Sequence, residues 1–401
     1  MKLKKTLILA FLPLATLWSG GCWDYSEIDN TAVVSVIGLD LTGQGDIKIS
    51  ASIIKPFPAL ENKSPETFVV SATGKSCSEA VRRFYLSFCK IMELPQTDTL
   101  IIGKELAQTD LSLIMDFLSR NSYLRPDLLI LISETNTAEE IVSSNTLRAI
   151  SLGRGLSGLL TQNQQSANIF IPVRKLDFTI YCAQAGREPA VPIISLAAQP
   201  IPGGSQESAA DKSPLPVEPQ KIPVLSGMAL FKGRQMAGAF DDLESRGYRW
   251  LMDDLQKGGF IKIPDPLFMD KTVDLKIFEF KRKIKPAISG DKIIMEINII
   301  TSLTFISQQT DKNLLEAQML KQIEFLAEQE ISRQINACIV KSQSLQSDVL
   351  GWGWTLNRLE PEMWRQIQGQ WPVMYPQTEY NITIDAKIYN STLTAKPVKF
   401  S

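Results

Sequence analysis

Ala32-Val33-Val34-Ser35-Val36-Ile37-Gly38-Leu39-Asp40-Leu41 is dominated by Val, Ile and Leu and is closed by Asp40 and Gly43, so it reads as a strand. The next run, Asp46 to Ile54, places Ile47, Ile49, Ala51 and Ile53 at every second position. That is the two-residue period of a half-buried strand, and the Gly-containing turn between the runs makes the two strands neighbours. Moving outward, Thr67 to Thr73 is a third strand candidate. Ser76 and Glu79 form a capping box that opens a helix from Cys77 to Lys90, with Val81, Phe84, Tyr85 and Phe88 on one face and Arg82, Arg83 and Lys90 outside. Thr97 to Gly103 returns as a strand, Leu111 to Ser119 as a helix, and Leu128 to Ser133 as a strand bounded by Pro126 and Glu134. Thr137 and Glu140 make a second capping box, before a helix starting near Ala138. Strands alternating with helices predict an α/β N-terminal domain over residues 22–198.

Between Asn145 and Ile194 the periodicity loosens. Gly153-Arg154-Gly155-Leu156-Ser157-Gly158 has the spacing of a dinucleotide-binding turn, and Asp177 falls about 20 residues on. That turn requires a strand before it and a helix after it. Here a helical stretch, Thr146 to Leu152, precedes and a polar stretch, Thr161 to Asn168, follows, so the expectation is a flexible loop and no nucleotide site. Residues 199–221 hold Pro200, Pro202, Pro214, Pro216 and Pro219 with Gly203 and Gly204, and are expected to be a linker between two domains.

Beyond it, residues 222–401 predict an α+β C-terminal domain with antiparallel strands and one long helix, with a candidate subdivision near residue 265. A hairpin turns at Lys232-Gly233, a helix runs from Asp242 to Lys257, and two strands, Thr272 to Pro286 and Lys292 to Phe305, pair across Ser289-Gly290-Asp291. A long helix extends from Asp311 to about Lys341, with Leu315, Met319, Ile323, Leu326, Ile331, Ile335 and Cys338 as its apolar stripe. Tyr380 to Tyr389 closes the chain as a strand.

The bulk composition excludes several chemistries. Of the 401 residues, 42 are Lys or Arg and 43 Asp or Glu, so no net field recommends nucleic acid as a partner. There is no histidine, which removes Ser-His and Cys-His nucleophile pairs and histidine-dependent zinc sites. No Cys-x-x-Cys occurs, and Cys77 and Cys89, at the two ends of one predicted helix, would lie roughly 18 Å apart. Buried free thiols are expected at Cys77, Cys89, Cys182 and Cys338. No catalytic constellation, cofactor motif or metal cluster is legible: Asp241-Asp242 and Asp253-Asp254 lie at opposite ends of one helix and read as dipole partners and a solvated face.

The start of the chain is a secretory signal, with Lys2, Lys4 and Lys5 ahead of an apolar run from Leu7 to Trp18 that is too short to span a bilayer. Residues 1–21 are read as the signal peptide. Gly20 and Gly21 precede Cys22, where a thiol can receive diacylglycerol and the freed amine a further acyl chain such as palmitate, which together anchor a protein stably. Trp23, next to those chains, suits the membrane interface.

Several of these stretches together resemble the Ger(x)C family, the lipoprotein C subunits of nutrient germinant receptors in endospore-forming bacteria. The resemblance lies in Cys22-Trp23-Asp24, in the first strand with Gly38 and Asp40, and in Asp348-Val349-Leu350-Gly351-Trp352-Gly353 followed by Pro361, Trp364 and Trp371. Glu188-Pro189-Ala190-Val191-Pro192 fits a weaker pattern of the same family. It implies a subunit without enzymatic activity on the outer face of the spore inner membrane, beside two integral membrane subunits, acting in receptor assembly and germination signalling. On a continuous helix Trp364 and Trp371, seven apart, would share a face, and core packing is the favoured role. Lys281, Arg282, Lys283 and Lys285 read as a solvated strand face. The rival reading is a lipid-anchored solute-binding protein of a transporter, which requires two similar lobes around a ligand cleft.

Overall fold

In a computed structural model the described residues are 30–54, 67–144, 151–167, 169–199, 220–252, 257–290 and 292–391. The signal peptide, Cys22, Trp23, Asp24 and Asp253-Asp254 lie outside them. The first strand, β1 (Thr31–Leu41), sits near the middle of a ten-stranded mixed sheet. On one side it pairs antiparallel with β2 (Ile47–Ile54), which pairs antiparallel with β3 (Thr67–Gly74). On the other it runs parallel to β4 (Ile91–Glu93) and β5 (Thr99–Ile102), and β5 runs parallel to β6 (Leu129–Ser133). The short β7 (Val173–Arg174) lies beside β6, and β8 (Ala190–Gln199) continues the parallel centre. Then β9 (Gln220–Lys232) and β10 (Gln235–Phe240) close the sheet as an antiparallel hairpin.

Helices cover both faces of this sheet. On one lie α1 (Cys77–Ser87), α2 (Lys104–Thr109), α3 (Ser112–Arg120) and, further along the chain, α6 (Lys175–Ala183), burying Phe84, Leu106, Ile114, Leu118 and Phe178 against Ile37, Leu39, Ile130 and Phe231. On the other lie α4 (Ala138–Val142) and α5 (Leu152–Gln165), packing Ile141, Val142, Leu156 and Leu160 on Val36, Ile101 and Leu131. Both expected helix starts carry their caps: Glu79 N–H donates to Ser76 Oγ, and Thr137 and Glu140 form a complete capping box.

The second sheet has the order β11 (Phe260–Pro264), β12 (Thr272–Ser289), β13 (Lys292–Gln308), β14 (Glu379–Ser391). Its first three strands are antiparallel, whereas β14 runs parallel to β13, because the chain crosses over through the 28-residue α8 (Ala317–Ser344) before returning. Ile323, Ala327, Ile331, Ile335, Cys338 and Ile339 of α8 are buried in the core it shares with this sheet. The helix α7 (Asp242–Met252) crosses α8 closely at Gly247, where a Cβ would stand 2.0 Å from the Gln334 carbonyl oxygen, and Trp250 Nε1 donates to Gln334 Oε1 at 3.0 Å.

Five expectations are corrected. Residues 199–221 do not divide two separately sheeted halves: β8 and β9 pair side by side in register up to Gln199↔Gln220, so the first strands of the expected C-terminal domain complete the first sheet. Proline-rich polar composition shows what cannot pack, and says nothing of whether the flanking strands part. The expected loop around Gly153 is instead helix α5, capped by Ser151. The long helix starts at Ala317 rather than at Asp311, and the helix from Cys77 ends at Ser87. Of the thiols, Cys77 and Cys338 are buried as expected, Cys182 is half-buried and Cys89 is exposed.

Candidate functional site

After α8 the chain takes a left-handed step at Gln346 (φ 52°), and Ser347 Oγ donates to the Phe231 carbonyl on β9. These contacts present Asp348, 5% exposed, to the start of α9 (Trp352–Leu359). The residue before the helix is Gly351, with φ 63° and no side chain to cap. Asp348 supplies the cap from three residues back: Oδ1 accepts from Trp352 N–H at 2.9 Å and Oδ2 from Gly353 N–H at 2.8 Å. Oδ2 also accepts from Trp371 Nε1 at 2.9 Å. One carboxylate therefore ties α9 to α11 (Trp371–Met374) across the intervening α10 (Pro361–Ile367). Burial pushes Asp348 up to about 6, against the pull of its N–H donors.

The family-like residues fall around this carboxylate. Pro361 opens α10, where its missing N–H costs nothing. Trp364 on α10 and Trp371 on α11 meet edge to face with centroids 5.8 Å apart, so they share a contact without sharing a helix. Gly353 permits the closest approach: a Cβ there would lie 2.6 Å from Trp371 Nε1 and 2.7 Å from Gly186 Cα. Gly186 itself has φ +78°, and its carbonyl accepts from Trp354 N–H at 2.7 Å. Two residues on, the Glu188 N–H donates to the Asp348 carbonyl at 3.0 Å. Thus the Glu188-to-Pro192 stretch and the Asp348-to-Gly353 stretch, 160 positions apart, are one assembly. No local sequence pattern links the two stretches, which share only their resemblance to one family.

Around the assembly opens a cleft of about 530 Å³, lined among others by Arg187, Glu188, Lys232, Gln346, Trp364 and Trp371. The Arg187 guanidinium lies over the Tyr181 ring at 3.6 Å, and Lys232 Nζ donates to Gln346 Oε1. Burial, and then the charge of Asp348, push Glu188 up to about 7, with the Gly233 N–H and Lys232 pulling the other way. Every Asp348 oxygen already accepts at least one hydrogen bond from the fold, so this carboxylate acts as a joint. Among the described residues no group of three or more His, Cys, Asp or Glu is placed to hold a metal ion.

Gly38 and Asp40 serve a second, separate joint in the first sheet. Asp40, 4% exposed, accepts from Ala138 N–H at 2.6 Å and from Glu139 N–H at 3.1 Å, so it caps α4 from β1. A Cβ at Gly38 would come within 2.9 Å of Val142 on that helix. The structure does not bring Gly38 and Asp40 to the Asp348 assembly.

Two family models span these two joints. One described as "Spore germination protein N-terminal domain" matches residues 24–196, and one described as "Spore germination B3/GerAC like, C-terminal" matches residues 226–392. The chain belongs to this family of spore germination proteins. It is 23% identical to spore germination protein KC of Bacillus subtilis strain 168, over 99% of this chain and 98% of that one. It is 21% identical to spore germination protein B3 of the same organism, over 96% and 97%. Among solved structures, that of the GerBC protein shares the fold with a TM-score of 0.55 at 15% identity, covering 88% of this chain and 97% of that chain. Among the described residues no helix is long and apolar enough to cross a membrane.

Proposed function

We propose that this chain is a non-enzymatic subunit of a spore nutrient germinant receptor, fixed to the outer face of the spore inner membrane by lipid on Cys22 and acting in receptor assembly and signalling beside two integral membrane subunits. The observation that carries the reading is the Asp348 assembly: the residues that mark the C-terminal end of the family are spent on joining helices, with the carboxylate's oxygens occupied by Trp352, Gly353 and Trp371. A chain whose most distinctive residues hold surfaces in place fits a scaffold better than a catalyst. Full-length relatives that carry spore germination names support the same role.

The test is a strain in which Cys22→Ala replaces the native chain. The altered protein is expected to leave the membrane fraction, and spores to respond several-fold more slowly to nutrient while germinating normally by a receptor-independent route. Copurification of the native chain with two membrane proteins encoded beside it is the second expectation. A Cys22→Ala protein that stays in the membrane with a normal nutrient response defeats the reading. A large thermal shift with amino acids or sugars would favour a solute-binding protein instead.

A further inference from the structure

We propose that the end of the first sheet at which the described chain begins rests on the lipid bilayer, with Tyr85, Leu86, Ile91 and Tyr123 seated in its interface. The placement rests on the reading that Cys22 carries the anchor. From Cys22 to Asn30 there are eight residue steps, a reach of about 29 Å at full extension. Asn30 leads directly into Thr31, which pairs with Ile91 on the neighbouring strand. The anchor thus leaves the body beside β4, and α1 ends at the same edge, because Phe88 just past it packs on Phe68 at the start of β3 with ring centroids 6.0 Å apart.

Exposed apolar side chains gather at that edge, among polar neighbours such as Asp116 and Arg120. Leu86 is 84% exposed, Tyr123 67%, Ile91 52% and Tyr85 50%. Tyr85 and Tyr123 border one hollow of about 450 Å³ between α1 and α3. Scattered apolar side chains need no explanation, but a set gathered around the anchor's point of departure does. Tyrosines beside aliphatic side chains match the bilayer interface, where a ring and its hydroxyl are both accommodated. Arg82, one turn back on the Leu86 face and exposed, and Lys90, next to Ile91, supply charge complementary to anionic headgroups.

Cys89, exposed between Leu86 and Ile91, is a native reporter position. The full lipidated chain carrying Cys182→Ser is labelled there with an environment-sensitive fluorophore and reconstituted in phosphatidylglycerol–phosphatidylethanolamine vesicles. A second protein carries Cys89→Ser and Gln44→Cys, which moves the label to the turn at the far end of β1, about 33 Å away along the strand. A nitroxide on the lipid chains is expected to quench the Cys89 label at least threefold more than the Gln44→Cys label. Leu86→Glu with Ile91→Glu should at least halve that quenching while the protein still floats with the vesicles. Chain that floats while its Cys89 label answers only to aqueous iodide overturns the placement alone, and would leave this edge to a protein partner. Chain that does not float overturns the anchor, and the placement with it.

Discussion

The Glu188 N–H donates to the Asp348 carbonyl at 3.0 Å, which joins two acidic residues at the seam where the first sheet meets the C-terminal helices, near enough for the charge of Asp348 to act on the Glu188 carboxyl. Both are pushed upward, chiefly by burial: Glu188 to about 7 and Asp348 to about 6. The folded chain therefore holds these protons at pH values where the unfolded chain, with ordinary carboxyls near 4, has released them. Their contribution to stability is greatest below the unfolded values, declines as pH rises from about 4 to about 7, and is level above that. Glu188→Gln should match the native protein near pH 4.5 and exceed it at pH 7.5 by on the order of 1–3 kcal/mol. Urea denaturation of both proteins at the two pH values measures this, and an equal offset at both would refute the assignment.

Asp348 satisfies three donors at once, so its removal strands all three. Asp348→Ala should cost about 3–5 kcal/mol, because two helix N–H groups and the Trp371 indole lose their acceptor inside the protein. Trp371→Phe removes one donor while keeping most of the ring, and about 1–2 kcal/mol is expected. Thermal unfolding of the two variants tests the ranking. Equal losses would mean that the indole's packing, and not the carboxylate, holds α9 to α11.

How much of this was legible beforehand depended on where the partners lie. Both Ser76 with Glu79 and Thr137 with Glu140 were readable because a cap and its donor are three residues apart. The β12–β13 hairpin was readable because one turn sets its register. The stretch from 145 to 194 was not: α5 carries three glycines, whose low helix propensity is overridden by packing, with Gly153 so close to β1 that a Cβ would lie 2.2 Å from the Ser35 carbonyl oxygen. Nor could composition reveal that β8 and β9 face one another across residues 200–219. Asp348, Trp364 and Trp371 stood out only by resemblance, and their meeting with Gly186 and Glu188 is a long-range contact that no local pattern encodes.

The thiols should react in the order of their burial. Burial pushes Cys77 and Cys182 up to about 12 and Cys338 well above the ordinary thiol value, while Cys89 is exposed. Treating the native protein with a small alkylating reagent at pH 8 should modify Cys89 within minutes and leave Cys77 and Cys338 untouched until denaturant is added. Peptide mass spectrometry gives the order directly, and early loss of Cys338 would mean that the core between α7 and α8 opens readily.

The glycines of the Gly153-to-Gly158 stretch separate a packing role from a ligand role. If they shaped a phosphate-binding turn, replacing either end would abolish binding with little regard to local packing. As elements of α5 they should behave oppositely. At Gly158 a Cβ meets nothing within 4 Å, so Gly158→Ala should stabilise the helix by about 0.5–1 kcal/mol. At Gly153 the new methyl meets the backbone of β1, which cannot swing aside as a side chain would, and Gly153→Ala should destabilise by about 2 kcal/mol or more. The same contrast recurs at the C-terminal assembly: Gly369→Ala, whose Cβ would meet nothing within 4 Å, should be near neutral, whereas Gly353→Ala must displace Trp371 or Gly186. Denaturation midpoints for the four variants decide the matter, and a stabilised Gly153→Ala would show that α5 does not press on β1 as described.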